Sequence, residues 1–143
     1  MDRVLLNKCT CFAVRRTARA LTQMYDAALA TAGIRSTQYM VLAAIGERTD
    51  VSVNELADTM VMDRTTMGRN LRLLERDGLV TLSTPEEDRR RRDIALTRKG
   101  KALLEGAYPL WKHAHDSLQR THGKEFLEQF RVMLKQVSPG IQF

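Results

Sequence analysis

Arg89, Arg90, Arg91 and Arg92 stand in a row, with Pro85, Glu86, Glu87 and Asp88 directly before them. Guanidinium groups meet carboxylates and phosphates in planar, two-pronged contacts, so the chemistry this run suggests is recognition of an anion. A run of like charges is most often a solvated loop or tail. This one is internal and runs straight into the apolar alternation of Ile94 and Leu96. Upstream lies a second set of cations, Arg64, Arg69, Arg72 and Arg76, accompanied by Thr65 and Thr66. Between Arg64 and Lys101 there are 11 basic and 6 acidic residues, a net +5 out of +6 for the whole chain. Charge gathered in one segment points to a polyanion, of which nucleic acid is the commonest. An ordinary basic surface that keeps the chain soluble is the reading composition alone leaves beside it.

Other residue types with chemistry to offer are few. Cys9 and Cys11 are the only cysteines, too close together to brace a domain and without the second pair or spaced histidines of a structural zinc site. His113 and His115 are two apart on a helical stretch and so face different ways. The expectation is no metal and no cofactor. No phosphate-cradling glycine loop, His-Glu-x-x-His helix or nucleophile elbow is present, so the chain does not read as an enzyme.

These side chains need elements to position them. At 143 residues, 43% hydrophobic and 28% charged, the chain suits one globular domain. No apolar run approaches the ~18 residues of a membrane span. Cytoplasmic residence is expected. An amphipathic helix is predicted from about Asn7 to Ala32, ended by Gly33 in a left-handed cap. A second helix starts at Ser36-Thr37 and closes near Gly46. Ser52-Val53-Asn54-Glu55 is a capping box that opens a short helix to about Thr59. After the turn Met60-Val61-Met62, Asp63 caps a helix running to Asp77 and stopped by Gly78. Two short helices joined by a tight turn make a helix-turn-helix.

At 100° per residue, Met67, Leu71 and Leu74 fall on one side of the second of these helices, and Thr65, Arg69, Arg72 and Arg76 on the other. Leu79 to Ser83 and Asp93 to Leu96 read as two strands with the Thr84–Arg92 loop between them. The arginine run therefore belongs to a β-hairpin just after a candidate recognition helix, the layout of a winged helix. Thr97 then caps a helix passing Leu103, Leu104, Ala107, Leu110, Trp111 and Ala114, with kinks expected at Gly106 and Pro109. Gly123 precedes a last helix with Phe126, Leu127, Phe130, Leu134 and Val137 to one side. The fold class is mainly α (α+β).

With these elements in place, the chain resembles the MarR family of transcriptional regulators. The resemblance rests on Ser36–Ile45 (STQYMVLAAI), Val51–Val80 (VSVNELADTMVMDRTTMGRNLRLLERDGLV) and Pro85–Gly100 (PEEDRRRRDIALTRKG), which includes the wing signature Asp88-x-Arg90 and the Leu-Thr-x-x-Gly entry to the next helix. It implies a single domain over 1–143, with a winged helix-turn-helix over about 35–97 and dimerisation helices over about 5–33 and 98–138. It further implies a homodimeric repressor on a pseudo-palindromic duplex, recognition helix in the major groove and wing in the minor groove.

Within that frame Thr65, Thr66 and Arg69 are the base-reading candidates, because the major groove offers distinct donor and acceptor patterns to short polar groups and arginines. Arg64, Arg72 and Arg76, with Ser52 and Asn54, are the phosphate candidates. Arg90 is expected to enter the minor groove, followed by Arg89, with Asp88 holding an arginine in pose. A basic protein that binds any duplex, an architectural role, is the alternative.

Two switches are expected from the same resemblance. Cys11-Phe12-Ala13 resembles the organic-peroxide-sensing branch of the family, with Lys8 and Arg15 placing positive charge near the thiol and Cys9 as a resolving partner. Tyr39 falls where that branch has a tyrosine. The other switch is a small aromatic acid held by Arg15, Arg16, Arg19, Tyr25, Tyr39, Met40 and Trp111. A packed core with snorkelling arginines is the competing reading of those residues.

Overall fold

In a computed structural model, residues 6, 8–48, 51–84 and 93–138 are described. The long first helix is α1 (Thr10–Leu29), which tightens into a 3₁₀ turn (Ala30–Ala32) and stops at Gly33, whose φ of 69° is the left-handed cap the sequence predicts. Helix α2 (Ser36–Gly46) follows. Ser36 is its first residue rather than its cap. The Ser36 amide and hydroxyl both donate to Asp26 Oδ1 on α1, at 2.7 and 2.6 Å, and tie the two helices together.

The winged part begins with strand β1 (Val51–Ser52), which the sequence does not announce, since two residues carry no alternation. Helix α3 (Val53–Thr59) opens on the expected capping box: Ser52 Oγ accepts from the Glu55 amide at 3.3 Å, and Glu55 Oε2 accepts from the Ser52 amide at 2.8 Å. Helix α4 (Arg64–Arg76) starts at Asp63, whose Oδ1 accepts from the Thr66 amide at 2.9 Å. Between α3 and α4, Val61 adopts a φ of 50°. A β-branched residue in that region is strained, and here it lets the Met62 amide turn back onto the Ala57 carbonyl at 2.8 Å. Strands β2 (Val80–Ser83) and β3 (Asp93–Leu96) form the hairpin, and β1 pairs with β3 from the other side, giving the antiparallel order β1-β3-β2.

Apolar faces from each element meet in one core. Leu42 and Ile45 of α2, Leu56 of α3, Met67, Leu71 and Leu74 of α4, and Val51, Val80 and Ile94 of the sheet are all buried. Each such side chain contributes about 1.5–3 kcal/mol by leaving water.

Helix α5 (Arg98–His122) leaves the wing with Thr97 as its cap, Oγ1 accepting from the Gly100 amide at 3.0 Å while donating to the Gly78 carbonyl at 2.7 Å. Gly100 is buried so tightly that a Cβ there would lie 2.0 Å from the Leu79 carbonyl oxygen. The helix is continuous from Arg98 to His122 with Pro109 inside it, so the expected kinks produce no break. Helix α6 (Lys124–Val137) begins after Gly123 and packs on α5 through Leu127.

Candidate nucleic-acid interface

Helix α4 separates its side chains by face. Met67, Leu71 and Leu74 are buried, while Arg64, Thr65, Thr66, Arg69, Arg72 and Arg76 are exposed. Helical geometry puts Thr65, Arg69, Arg72 and Arg76 within about 60° of one another. Arg64 lies about 100° around from Thr65, at the shoulder of that face. Among the described residues, Arg64, Arg69 and Arg72 make no ion pair, so their guanidiniums face solvent unneutralised. Arg76 is different: its Nε and Nη2 both lie 3.1 Å from Asp77 Oδ1.

Two of the hydroxyl side chains assigned to this surface, Thr66 and Ser52, are already engaged within the chain. Thr66 Oγ1 donates to Asp63 Oδ2 at 2.5 Å, which makes Thr66 a partner in capping α4 and leaves only its acceptor capacity free. Together these bonds hold the Asp63 carboxyl below its usual range, the Thr66 hydroxyl first and the Thr66 amide second. Ser52 Oγ donates to Glu55 Oε2 at 2.7 Å, so a hydroxyl contact from Ser52 to phosphate would require opening the capping box. Asn54, the second residue of α3, is exposed. Asp88, Arg89 and Arg90, like Arg91 and Arg92, lie outside the described residues, although the strands that frame them are in place.

The expected effector residues divide into two groups. Trp111 is the centre of an aromatic cluster, stacking with Tyr25 (6.4 Å), Tyr39 (6.1 Å), Tyr108 (6.0 Å) and His115 (5.0 Å between centroids). His115 is locally paired as well, its Nδ1 3.3 Å from the Tyr25 hydroxyl, while His113 is exposed. Burial raises the Tyr25 and Tyr39 phenols above their ordinary range. A cleft of about 650 Å³ opens beside this cluster between α2, β3 and α5.

Arg15, Arg16 and Arg19 are not part of that cleft, contrary to the sequence expectation. Arg16 and Arg19 line a separate groove along α1 with Ala13, Thr17 and Gln23, and the Arg16 guanidinium sits 5.6 Å over the Phe12 ring. Tyr25 and Met40, which the sequence groups with them, do not line the cleft either: among the described residues its lining comes from α2, β3 and α5, and none of it from α1. Residues the sequence reading missed supply the cleft instead: Leu96, Lys101, Leu104, Glu105 and Tyr108. The signal was present, since Lys101, Leu104, Glu105, Tyr108 and Trp111 recur at helical spacing on one face of α5.

Cys9 is the residue before α1 and Cys11 its second residue; both are exposed and free.

A helix-turn-helix whose second helix turns a cationic face outward, followed by a two-stranded wing, defines a winged-helix DNA-binding protein. Comparison with known proteins narrows the class. The sequence model of the MarR family matches residues 32–91. The organic hydroperoxide resistance transcriptional regulator of Bacillus subtilis (strain 168) is 30% identical over 106 residues, 74% of this chain and 72% of the relative. The transcriptional regulator MosR of M. tuberculosis, solved in complex with DNA, superimposes with a TM-score of 0.81 at 35% identity, covering 94% of this chain and 99% of MosR. CouR of Rhodococcus jostii RHA1, solved on a 23-mer DNA duplex, shares the fold at a TM-score of 0.85 and 24% identity, over 96% of this chain and 98% of CouR. The chain belongs to the MarR family and is a DNA-binding transcriptional regulator.

Proposed function

We propose that this chain acts as a homodimeric, sequence-specific repressor whose grip on its operator is released by oxidation at Cys11. The observation that carries the reading is the outward face of α4, where Thr65, Arg69 and Arg72 stand exposed directly opposite a fully buried apolar face. Thr65 and Arg69 read bases, and Arg64, Arg72, Arg76 and Asn54 hold phosphates. Arg90 and Arg89 enter the minor groove, with Asp88 holding an arginine in pose. The dimer is supported by two surfaces: α1 buries only Leu29 over 20 residues, and α6 exposes Phe126, Met133 and Val137.

Release by oxidation is supported by the exposed Cys9 and Cys11 at the start of α1 and by the likeness to a hydroperoxide resistance regulator. The Cys11 thiolate attacks one peroxide oxygen of an organic hydroperoxide. The O–O bond breaks, the departing alkoxide takes up a proton as alcohol, and Cys11 becomes a sulfenic acid. The Cys9 thiol then displaces the hydroxyl as water, forming a Cys9–Cys11 disulfide. That bridge restrains the first turn of α1, which belongs to the dimer interface.

Footprinting on the DNA flanking the gene, with excess random duplex as competitor, tests both halves. Protection of two half-sites one helical turn apart is expected, lost on adding an organic hydroperoxide and retained under hydroperoxide in Cys11→Ser. Protection that random duplex removes as easily as operator duplex favours the architectural role, and release of Cys11→Ser by hydroperoxide refutes oxidation at Cys11. A second reading, release by a small molecule, is supported by the aromatic-walled cleft beside Trp111.

A further inference from the structure

The cleft between α2, β3 and α5 is lined by the apolar Leu96 and Leu104 and by the rings of Tyr39, Tyr108 and Trp111. Its closeness depends on Gly46, where an added Cβ would come within 3.2 Å of Leu96 and 3.3 Å of Leu104. At about 650 Å³ it matches the size of small-molecule sites, which run from roughly 300 to 1,000 Å³. The charged groups along it are Glu47, Glu105 and Lys101. No ion pair joins them to one another or to other described residues, and Arg48, the neighbour of Glu47, points its Nη2 to Thr59 on α3 at 3.3 Å. Should Lys101 swing to either carboxylate, one negative charge would still remain unmatched.

From this geometry we propose that the cleft binds a flat aromatic cation, and not the aromatic acid that the sequence suggests. The proposal rests on the reading that this cleft receives the effector, and it reverses the charge of the ligand. Stacked electron-rich ring faces attract a cation placed over them. The uncompensated carboxylate adds to the same preference and repels an acid. The arginines that would have bound an acid lie along α1, outside the cleft. Binding here would also reach the DNA-reading part directly, because Leu96 ends β3 of the wing and Leu104 lies on the helix that follows it.

Three probes of similar shape and different charge decide the matter in isothermal titration calorimetry of the reduced protein: 1-methylquinolinium, quinoline and 1-naphthoate at neutral pH. Trp111 is the only tryptophan in the chain, so quenching of its fluorescence reports occupancy of the cleft independently. Methylquinolinium is expected to bind about tenfold more tightly than naphthoate, the combined effect of a ring-face cation contact and a partly screened charge pair. The E47Q/E105Q double variant should shrink that preference to within about twofold. Both glutamates are exposed, and far-ultraviolet circular dichroism checks that the variant is folded. Naphthoate binding as well as or better than methylquinolinium overturns the proposal, as does an unchanged preference in the double variant or no binding of any probe. If the double variant fails to fold, the wild-type order of affinities decides alone. A gel shift with operator DNA separates the two claims. Methylquinolinium that binds without releasing DNA sinks release through this cleft and leaves the ligand class standing; naphthoate that binds and releases where methylquinolinium does not sinks the ligand class alone.

Discussion

At the scale of single residues, α4 assigns different work to side chains that look alike in the sequence. Thr65 and Thr66 are neighbours, yet Thr66 is bonded twice to Asp63 while Thr65 is exposed on the arginine face. Neither Arg69 nor Arg72 has an ion-pair partner among the described residues, but Arg69 lies closer to the amino end of the helix, the end that meets base edges in this mode of binding. Their substitutions should therefore differ in kind. Arg69→Ala is expected to cost about 1–3 kcal/mol on operator DNA and to narrow the gap to random DNA. Arg72→Ala should weaken both duplexes alike and make the slope of log affinity against log salt shallower by about one phosphate's worth. Fluorescence anisotropy titrations on both duplexes at several salt concentrations measure these quantities, and identical behaviour of the two variants would refute the division of roles.

At the scale of elements, the packing of α1 against α2 depends on one carboxylate. Asp26 Oδ1 accepts from both the hydroxyl and the amide of Ser36, a residue only 5% exposed. Those bonds hold the Asp26 carboxyl below its ordinary range, the hydroxyl bond being the larger cause. A depressed carboxyl contributes stability that is present above its unfolded pKa of about 4 and is lost as pH falls through the folded value. Asp26→Ala should cost about 1–3 kcal/mol at neutral pH, since it leaves two donors of a buried residue unsatisfied. Urea denaturation of both proteins at pH 7 and near pH 3 should show the gap closing at the lower pH. A gap that stays constant would mean the carboxylate charge plays no part in joining the helices.

At the scale of the molecule, the unburied surfaces define the assembly. Phe126, Met133 and Val137 follow one another along one side of α6 at helical spacing, 53%, 51% and 62% exposed. Leu127, around the helix from them, packs inward. A helix that buries one apolar edge and displays another is built for two neighbours. Phe126→Glu combined with Val137→Glu should shift the protein from dimer to monomer in sedimentation velocity while preserving the far-ultraviolet spectrum of the wing. Operator affinity should fall with it, because two half-sites then lose their physical link. A variant that remains dimeric would remove α6 from the interface.

How much of this was legible in the chain depended on the range of the physics involved. Caps, glycine stops and amphipathic faces are decided within a few residues, so Asp63, Gly33 and Gly78, and the two sides of α4, were readable directly. The Leu96-Thr97-x-x-Gly100 motif was visible too, but its reason was not: Gly100 must be small because the carbonyl of Leu79, the residue just before β2 and distant in sequence, presses against it. Strand β1 was invisible because two residues carry no period, and it exists only where β3 offers an unpaired edge. The effector residues were misgrouped for the same reason. Charge and aromatic type are properties of the sequence, but which arginines, carboxylates and rings share a cavity is set by how α1, α2 and α5 cross. The sequence by itself determined the elements, their faces and the basic character of the reading surface, all short-range consequences of residue type. Only tertiary packing decided that Trp111 gathers four rings around it and shares a cleft with Glu47 and Glu105, because contacts between distant segments are chosen by the whole core at once.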